Sequence, residues 1–186
     1  MIMYRCLHIA RVGLACTVLV WGLSCSRRSD TPSTGHAESY FSLADYFSKE
    51  ATRLQQFAPT VAKTVTKNGE AEHRMLRIDN WQNELALFID SDINKPAWQN
   101  SYRVDSTATS VTYTSRDPEL RTERIIVEKR PDGTVNHIRV VNRVSNMLYQ
   151  TEERLDYHPD SAYQLVKRQW VRFIGESHYT ISGTLK

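Results

Sequence analysis

The spacing of apolar residues changes along the chain, from a helical pattern near residue 42 to an alternating pattern beyond residue 100. The apolar residues at helical spacing in the first segment are Leu43, Phe47, Leu54 and Phe57. A stripe of this kind is typical of a helix that buries one face. Ser42 and Asp45 form a capping box at its start, and Pro59 ends it. The pattern predicts an amphipathic helix over residues 42–57.

A second helical pattern begins at Asp79. The residues that share its apolar face are Trp81, Leu85, Phe88 and Ile89. The pattern ends near Ile93, ahead of Pro96, because the residue before a proline disfavours the helical conformation. The segment that follows is predicted to be a loop that ends with the buried side chain of Trp98.

Most of the remaining chain has the pattern of strands separated by turns. Asn68-Gly69 lies between two extended runs and predicts a tight hairpin, because both residues accept a positive φ. The later candidate strands cover residues 101–106, 109–116, 121–130, 134–142, 147–157, 163–174 and 177–185. Closely spaced strands without intervening helices indicate an antiparallel meander. The sequence therefore predicts an α+β domain: one large, curved, half-barrel-like antiparallel sheet of about nine strands, with two α-helices packed on it.

The strand over residues 163–174 is apolar on both sides. Alternation places Tyr163 and Phe173 on one face and Trp170 on the other. A strand that is apolar on both faces must be covered on both. We therefore expect the sheet to wrap around a helix or to close almost into a barrel.

The turn at residues 131–133 (PDG) determines the register of the strands around it. A two-residue Asp-Gly turn would pair Val127 with Ile138 and align the apolar residues. A turn with Pro131 at its second position and a bulge at Gly133 would shift that pairing. We favour the two-residue turn.

The first 25 residues have the composition of an export signal. Arg5 and Arg11 precede a run of apolar and small residues at 12–24 (VGLACTVLVWGLS). This run is shorter than the roughly 20 residues of a membrane span, but it fits a secretory signal. Residues 22–25 (GLSC) resemble the lipobox of bacterial lipoproteins, in which the cysteine is acylated and becomes the new N-terminus. The resemblance implies lipidation at Cys25. Simple secretion after cleavage and an uncleaved signal anchor are the alternatives.

Cysteine use and charge narrow the class of protein. The cysteines stand at positions 6, 16 and 25, so the domain beyond them has no disulfide. The net charge of +3 includes Arg5 and Arg11, and no block of Lys and Arg exceeds two residues. Nucleic-acid binding is therefore not expected, because it needs a concentrated basic face. Residues 26–38 are polar and are predicted to form a flexible tether, and residues 39–186 are predicted to form a single domain.

No metal site or cofactor site is predicted. Residues 90–94 (DSDIN) mimic the start of a calcium-binding loop. The loop would need glycine at its sixth position and glutamate at its twelfth, where this chain has Lys95 and Ser101. The histidines are scattered without zinc-ligand spacing. His137 is expected to form a simple cross-strand pair with Glu128.

The candidate catalytic residues do not have the relative geometry that catalysis needs. Glu152-Glu153 and Ser177-His178 contain suitable residue types, but strand neighbours point to opposite faces. The acidic residues and His158 near the turn at 158–160 are explained by turn formation. We predict no catalytic residue.

The body of the chain carries two further resemblances. Residues 86–88 (ALF), 92–98 (DINKPAW) and 146–149 (NMLY) resemble small uncharacterised lipoproteins of the Bacteroidota, which imply no particular activity. The order of a helix and then a long antiparallel meander is similar to that of periplasmic lipoprotein carriers with an unclosed barrel. This second similarity concerns topology alone.

Together these features predict a non-enzymatic lipoprotein of the cell envelope, attached to the outer membrane through Cys25. An orientation towards the periplasm is favoured over the cell surface, because no acidic run follows Cys25. The predicted role is to bind a protein partner or to act in envelope assembly. One alternative is a carrier that holds a lipid or another hydrophobic ligand in the half-barrel groove. The candidate ligand-binding residues for that role are Phe47, Leu54, Tyr163 and Phe173. A periplasmic hydrolase is the second alternative.

Overall fold

An open antiparallel sheet of nine strands dominates the computed structural model, which describes residues 40–186. The strands are β1 (Thr60–Lys67), β2 (Glu70–Arg77), β3 (Tyr102–Ser106), β4 (Ser110–Ser115), β5 (Thr122–Lys129), β6 (Val135–Ser145), β7 (Tyr149–His158), β8 (Ala162–Val171) and β9 (Gly175–Leu185). Their order is β2-β1-β9-β8-β7-β6-β5-β4-β3, so β2 and β3 are the two edges and the sheet does not close. The predicted α+β class and strand number are confirmed. The predicted signal, residues 1–25, and the tether, residues 26–38, lie outside the described residues.

The first helix, α1 (Leu43–Phe57), follows the sequence prediction closely. Ser42 Oγ accepts a hydrogen bond of 3.0 Å from the Asp45 backbone N–H and caps the helix start. The helix ends at Ala58, which adopts a left-handed conformation with φ of 48° and donates to the Leu54 carbonyl at 2.8 Å. The apolar face of α1 is buried against the sheet.

The second predicted helix is instead two short helices, α2 (Trp81–Glu84) and α3 (Ala86–Ile89). The first begins after Asn80, whose side chain accepts from the Asn83 N–H at 2.9 Å, and not at Asp79. Leu85 interrupts the helix with φ of −96° and ψ of 7°, and its side chain is fully buried. Residues 40–186 therefore contain three α-helices where the sequence pattern predicted two.

The loop after α3 also differs from its prediction. A single 3₁₀ turn, Pro96–Trp98, replaces part of it. Trp98 is half-buried, and the Lys95 ammonium lies 4.0 Å from its ring centroid. The indole was expected to be buried. Its remaining exposed face is covered in part by this cation.

The helices cover one face of the sheet and form a continuous core with it. Phe47 stacks on Phe88 with ring centroids 4.5 Å apart, and it meets Tyr157 edge-on at 5.1 Å. The fully buried strand residues beneath the helices are Val61, Ile125, Val127, Ile138, Val140 and Leu155. Because the whole core cluster falls within the compact unit His36–Lys186, this unit has the core it needs to fold on its own.

The β5–β6 connection keeps the predicted register but not the predicted turn. Val127 pairs with Ile138, as the apolar pattern requires. The Gly133 N–H donates to the Arg130 carbonyl at 2.9 Å, and Gly133 has φ of 84°, which is the three-residue loop with a glycine bulge. Asn136 is left out of the pairing and forms a second bulge in β6, and this bulge restores the register.

Strand β8 is shorter than predicted, which moves Phe173 out of the sheet. The strand ends at Val171, and residues 172–174 form the turn to β9. Phe173 has φ of 69° and Gly175 has φ of 100°, so the chain reverses here. The expectation that Phe173 shares a strand face with Tyr163 is wrong.

Candidate functional site

The four predicted ligand-binding residues do not converge. Phe47 and Leu54 are fully buried and Tyr163 nearly so, and all three belong to the core under the helices. Phe173 lies in the β8–β9 turn and is 93 % exposed. The space beneath α1 is filled by aromatic side chains, so Phe47 and Leu54 act in packing.

A buried carboxylate, Glu50, and a half-buried one, Glu84, are held on the helix side by partners within the fold. The Tyr157 hydroxyl donates to Glu50, and Arg53 Nε donates to Glu50 Oε2 at 2.9 Å. Burial raises the pKa of Glu50, but the hydrogen bonds from Arg53 and Tyr157 outweigh it and leave the pKa below its ordinary value. Glu84 likewise accepts from Tyr163 Oη at 2.6 Å and from Lys63 Nζ at 2.7 Å. These carboxylates stabilise the contact between helices and sheet.

A second polar cluster surrounds Glu153. Arg121 lies 2.8 Å and Lys167 3.1 Å from its carboxylate oxygens. Burial raises the pKa of Glu153, but the hydrogen bonds from the two cations lower it by a larger amount. The pKa of Glu153 therefore lies below its ordinary value. Its neighbour Glu152 is exposed on the other face of the strand, as alternation predicts. The two glutamates therefore cannot act as an acid–base pair.

The structure also assembles a cluster that the sequence did not predict. His137 Nδ1 lies 3.3 Å from Glu128, the expected cross-strand pair, and Nε2 lies 2.9 Å from Asp156 Oδ1. The ring stacks on His158 at a centroid distance of 4.3 Å. Arg139 also binds Asp156, at 2.7 Å. Both ring nitrogens of His137 contact carboxylates within the fold.

The calcium-like segment serves as a helix cap. Asp92 Oδ2 accepts from the Ala44 N–H at 2.9 Å, and Oδ1 accepts from the Asn94 N–H at 2.8 Å. The carboxylate thus satisfies a free donor at the start of α1. Within residues 40–186, no group of three or more His, Cys, Asp and Glu side chains is placed to hold a metal ion.

A large cleft lies on the face of the sheet opposite the helices. It has a volume of about 1010 Å³ and is bordered by residues 116–120 of the β4–β5 connection. Arg143, Glu152 and Arg168 are register partners on β6, β7 and β8, so charges of alternating sign cross its floor. Trp170, which is 43 % exposed, lines the same cleft. We refer to this feature as the polar cleft.

Two neighbouring hairpins next to the polar cleft end in exposed apolar residues. Met147 and Leu148 lie between β6 and β7, and Phe173 and Ile174 lie between β8 and β9. We refer to these four residues as the hairpin tips. The Arg172 N–H donates to the Leu148 carbonyl at 2.8 Å, so the two turns are joined directly. All four side chains are largely exposed.

A more apolar groove lies at the open edge of the sheet. It has a volume of about 820 Å³ and lies between β3–β4 and the segment of residues 93–100. Its apolar and aromatic lining includes Ile93, Tyr102, Val104, Val111 and Tyr113. This groove was not foreseen, because its lining comes from strands that the sequence pattern did not mark as a site.

Comparison with protein-family models, with curated proteins and with solved structures finds no match to this chain. In the described part of the chain, none of the helices has the length and apolar character that crossing a membrane requires.

Proposed function

We propose that this protein is a non-enzymatic lipoprotein of the cell envelope, anchored at Cys25, that binds a protein partner in the polar cleft. The observation that supports partner binding is the position of Trp170 beside the alternating charges of Arg143, Glu152 and Arg168. Tryptophan and arginine are the residue types that contribute most to protein interfaces. The alternating charges suit a polypeptide, which can offer both signs and backbone hydrogen bonds.

The non-enzymatic part of the proposal is supported by how the reactive groups are used. Glu50, Glu84 and Glu153 each bind cations or hydroxyl groups inside the fold. His137 is held between two carboxylates. None of these groups lines the polar cleft. Binding there would therefore depend on shape and charge and would involve no proton transfer by these groups.

Lipidation is tested at Cys25 with Cys16 as a matched control. Cys16 has a similar frame of small and apolar residues before it, but it lies inside the apolar run. In cells fed an alkyne fatty acid, the Cys25→Ala variant is expected to lose the acyl label, and the Cys16→Ala variant is expected to keep it. A Cys25→Ala protein that is still labelled and still sediments with membranes would contradict the anchor.

Partner binding is tested at Trp170. A photo-crosslinking phenylalanine analogue at position 170 is expected to capture a discrete envelope protein in cells, whereas the same analogue at the exposed Met75 of β2 is not. Trp170→Ala is expected to weaken that complex by about 2 kcal/mol, roughly 30-fold in Kd. Identical crosslinks from both positions, or an unchanged Kd, would contradict binding in the polar cleft.

The carrier alternative is favoured by one specific observation, the apolar groove at the open edge of the sheet. A ligand there would contact Val104 and Tyr113 and not the filled space under α1. Native mass spectrometry of the purified protein distinguishes this alternative, because a carrier would retain a lipid and the partner-binding protein would not.

A further inference from the structure

The two hairpins that carry the hairpin tips extend beyond the strands on either side of them. The last ladder pair of β5 with β6 is at Asn142, and that of β1 with β9 is at Tyr179. The β6–β7 hairpin continues to residues 146–148, and the β8–β9 hairpin continues to residues 172–174. At about 3.3 Å per residue, the hairpins project roughly 10 Å past their neighbours. The hairpin tips are thus a protrusion and not the floor of a groove.

Side-chain polarity along the projecting hairpins is graded. The four residues of the hairpin tips share their turns with Asn146 and Arg172, and Phe173 is 93 % and Met147 83 % exposed. Immediately behind them stand the amphipathic aromatics Tyr149 and Trp170, both exposed. The row of Arg143, Glu152 and Arg168 follows. A membrane interface favours the same order of side chains. Apolar residues lie deepest, tyrosine and tryptophan lie at the headgroup level, and charged residues lie outside them.

The charge of the two hairpin ends favours an anionic surface. Residues 143–152 and 168–176, which include the Glu152 that pairs with Arg143, together contain three arginines and two glutamates, a net charge of +1. The Arg172 guanidinium lies 5.1 Å from the Phe173 ring centroid, so it would sit at the headgroup level when the ring is buried. Arginine at that depth is attracted to anionic lipids. A protein partner would not require this layering of aromatic and cationic residues.

We propose that the hairpin tips insert into the interfacial layer of an anionic lipid bilayer. The inference rests on the proposed function in one respect, because an anchor at Cys25 would keep the domain beside a membrane. Fourteen residues separate Cys25 from Tyr40, the first described residue. An extended segment of this length spans up to about 50 Å, so the domain would stay within about that distance of the bilayer that holds the anchor. Insertion would fix the orientation of the polar cleft relative to the membrane.

The test uses residues 36–186, which contain the whole core and lack the anchor. Vesicles of phosphatidylethanolamine with phosphatidylglycerol are floated with the protein, and phosphatidylcholine vesicles are compared. The tip variant is Met147→Ser with Phe173→Ser. The control is Phe57→Ser with Met75→Ser, which removes two exposed apolar side chains away from the hairpin tips. Circular dichroism verifies that both variants keep the sheet.

The unaltered protein and the control variant are expected to float with the anionic vesicles, and the tip variant to bind them at least about tenfold more weakly. A Phe173→Trp variant gives a second readout, because bromine on the lipid chains would quench the fluorescence of an inserted indole. No flotation of the unaltered protein, or equal flotation of the tip variant, would overturn the inference. The inference would also be overturned if the tip variant bound vesicles as the unaltered protein does and differed from it only by losing self-association in analytical ultracentrifugation. Since this form cannot be lipidated, failure here leaves the acyl-labelling result at Cys25 unaffected.

Discussion

The Phe47→Ala substitution is expected to lower the free energy of unfolding by about 4 kcal/mol. Phe47 is fully buried and contacts the rings of Phe88, Tyr157 and Tyr46. Its removal would leave a cavity between α1 and the sheet that the surrounding rings, fixed by their own contacts, cannot fill. Equilibrium denaturation in urea, with the slope compared between variants, measures the loss.

Phe173→Ala is the matched control, because it makes the same chemical change at the other end of the molecule. Phe173 is almost fully exposed, so this variant is expected to change the free energy of unfolding by less than about 0.5 kcal/mol. The pair also separates packing from ligand binding at Phe47. A Phe47→Ala protein with nearly unchanged stability would indicate that the ring lines a cavity, and it would favour the carrier alternative.

Gly183→Ala is expected to cost about 3 kcal/mol, although it adds a single methyl group. Gly183 pairs with Tyr163 on β8, and an added Cβ would collide with the Tyr163 ring and its hydroxyl. The ring cannot move away easily, because its hydroxyl donates to Glu84 at 2.6 Å and its face meets Trp81 at a centroid distance of 6.1 Å. Thermal and urea denaturation of the variant measure the effect.

Two further variants determine whether the collision is the cause. The neighbouring Ser182→Ala, on the other face of β9, is expected to leave stability within about 0.5 kcal/mol of the unaltered protein. Tyr163→Ala removes the ring, so adding Gly183→Ala to it is expected to cost far less than Gly183→Ala alone. Additive effects of the two substitutions would show that Gly183 is needed for another reason.

Local patterns were sufficient to predict most of the fold. The capped start of α1, the Asn68-Gly69 hairpin and the strand order of the meander depend on residues close in sequence, which carry their own conformational preferences. The register of β5 and β6 was also predicted correctly, through the pairing of Val127 with Ile138. The type of the turn was not predicted correctly. The bulge at Gly133 shifts the register by one residue and the bulge at Asn136 shifts it back, and the apolar pattern shows only the resulting register.

Other features required information that local patterns do not contain. Phe173 continues the alternation of β8, but Gly175 two residues later allows a turn that removes it from the strand. His137 contacts Asp156 diagonally across the adjacent strands β6 and β7, whereas the register partner of Asp156 is Arg139, so strand pairing alone did not indicate the contact. The polar cleft is assembled from six strands and the β4–β5 connection, so no single segment could indicate it. The sequence features that could have pointed to this region were Trp170, which lines the polar cleft, and Gly175, which allows the turn.

The open edges of the sheet bear on how copies of this protein avoid polymerising. Exposed strand edges can recruit further strands and lead to aggregation. Here Arg74 pairs with Glu72 on edge strand β2, and Arg103 pairs with Asp105 at 2.9 Å on edge strand β3. An incoming strand would have to displace or desolvate these ion pairs at either edge. The fold can therefore remain an unclosed sheet even where the local concentration of the protein is high.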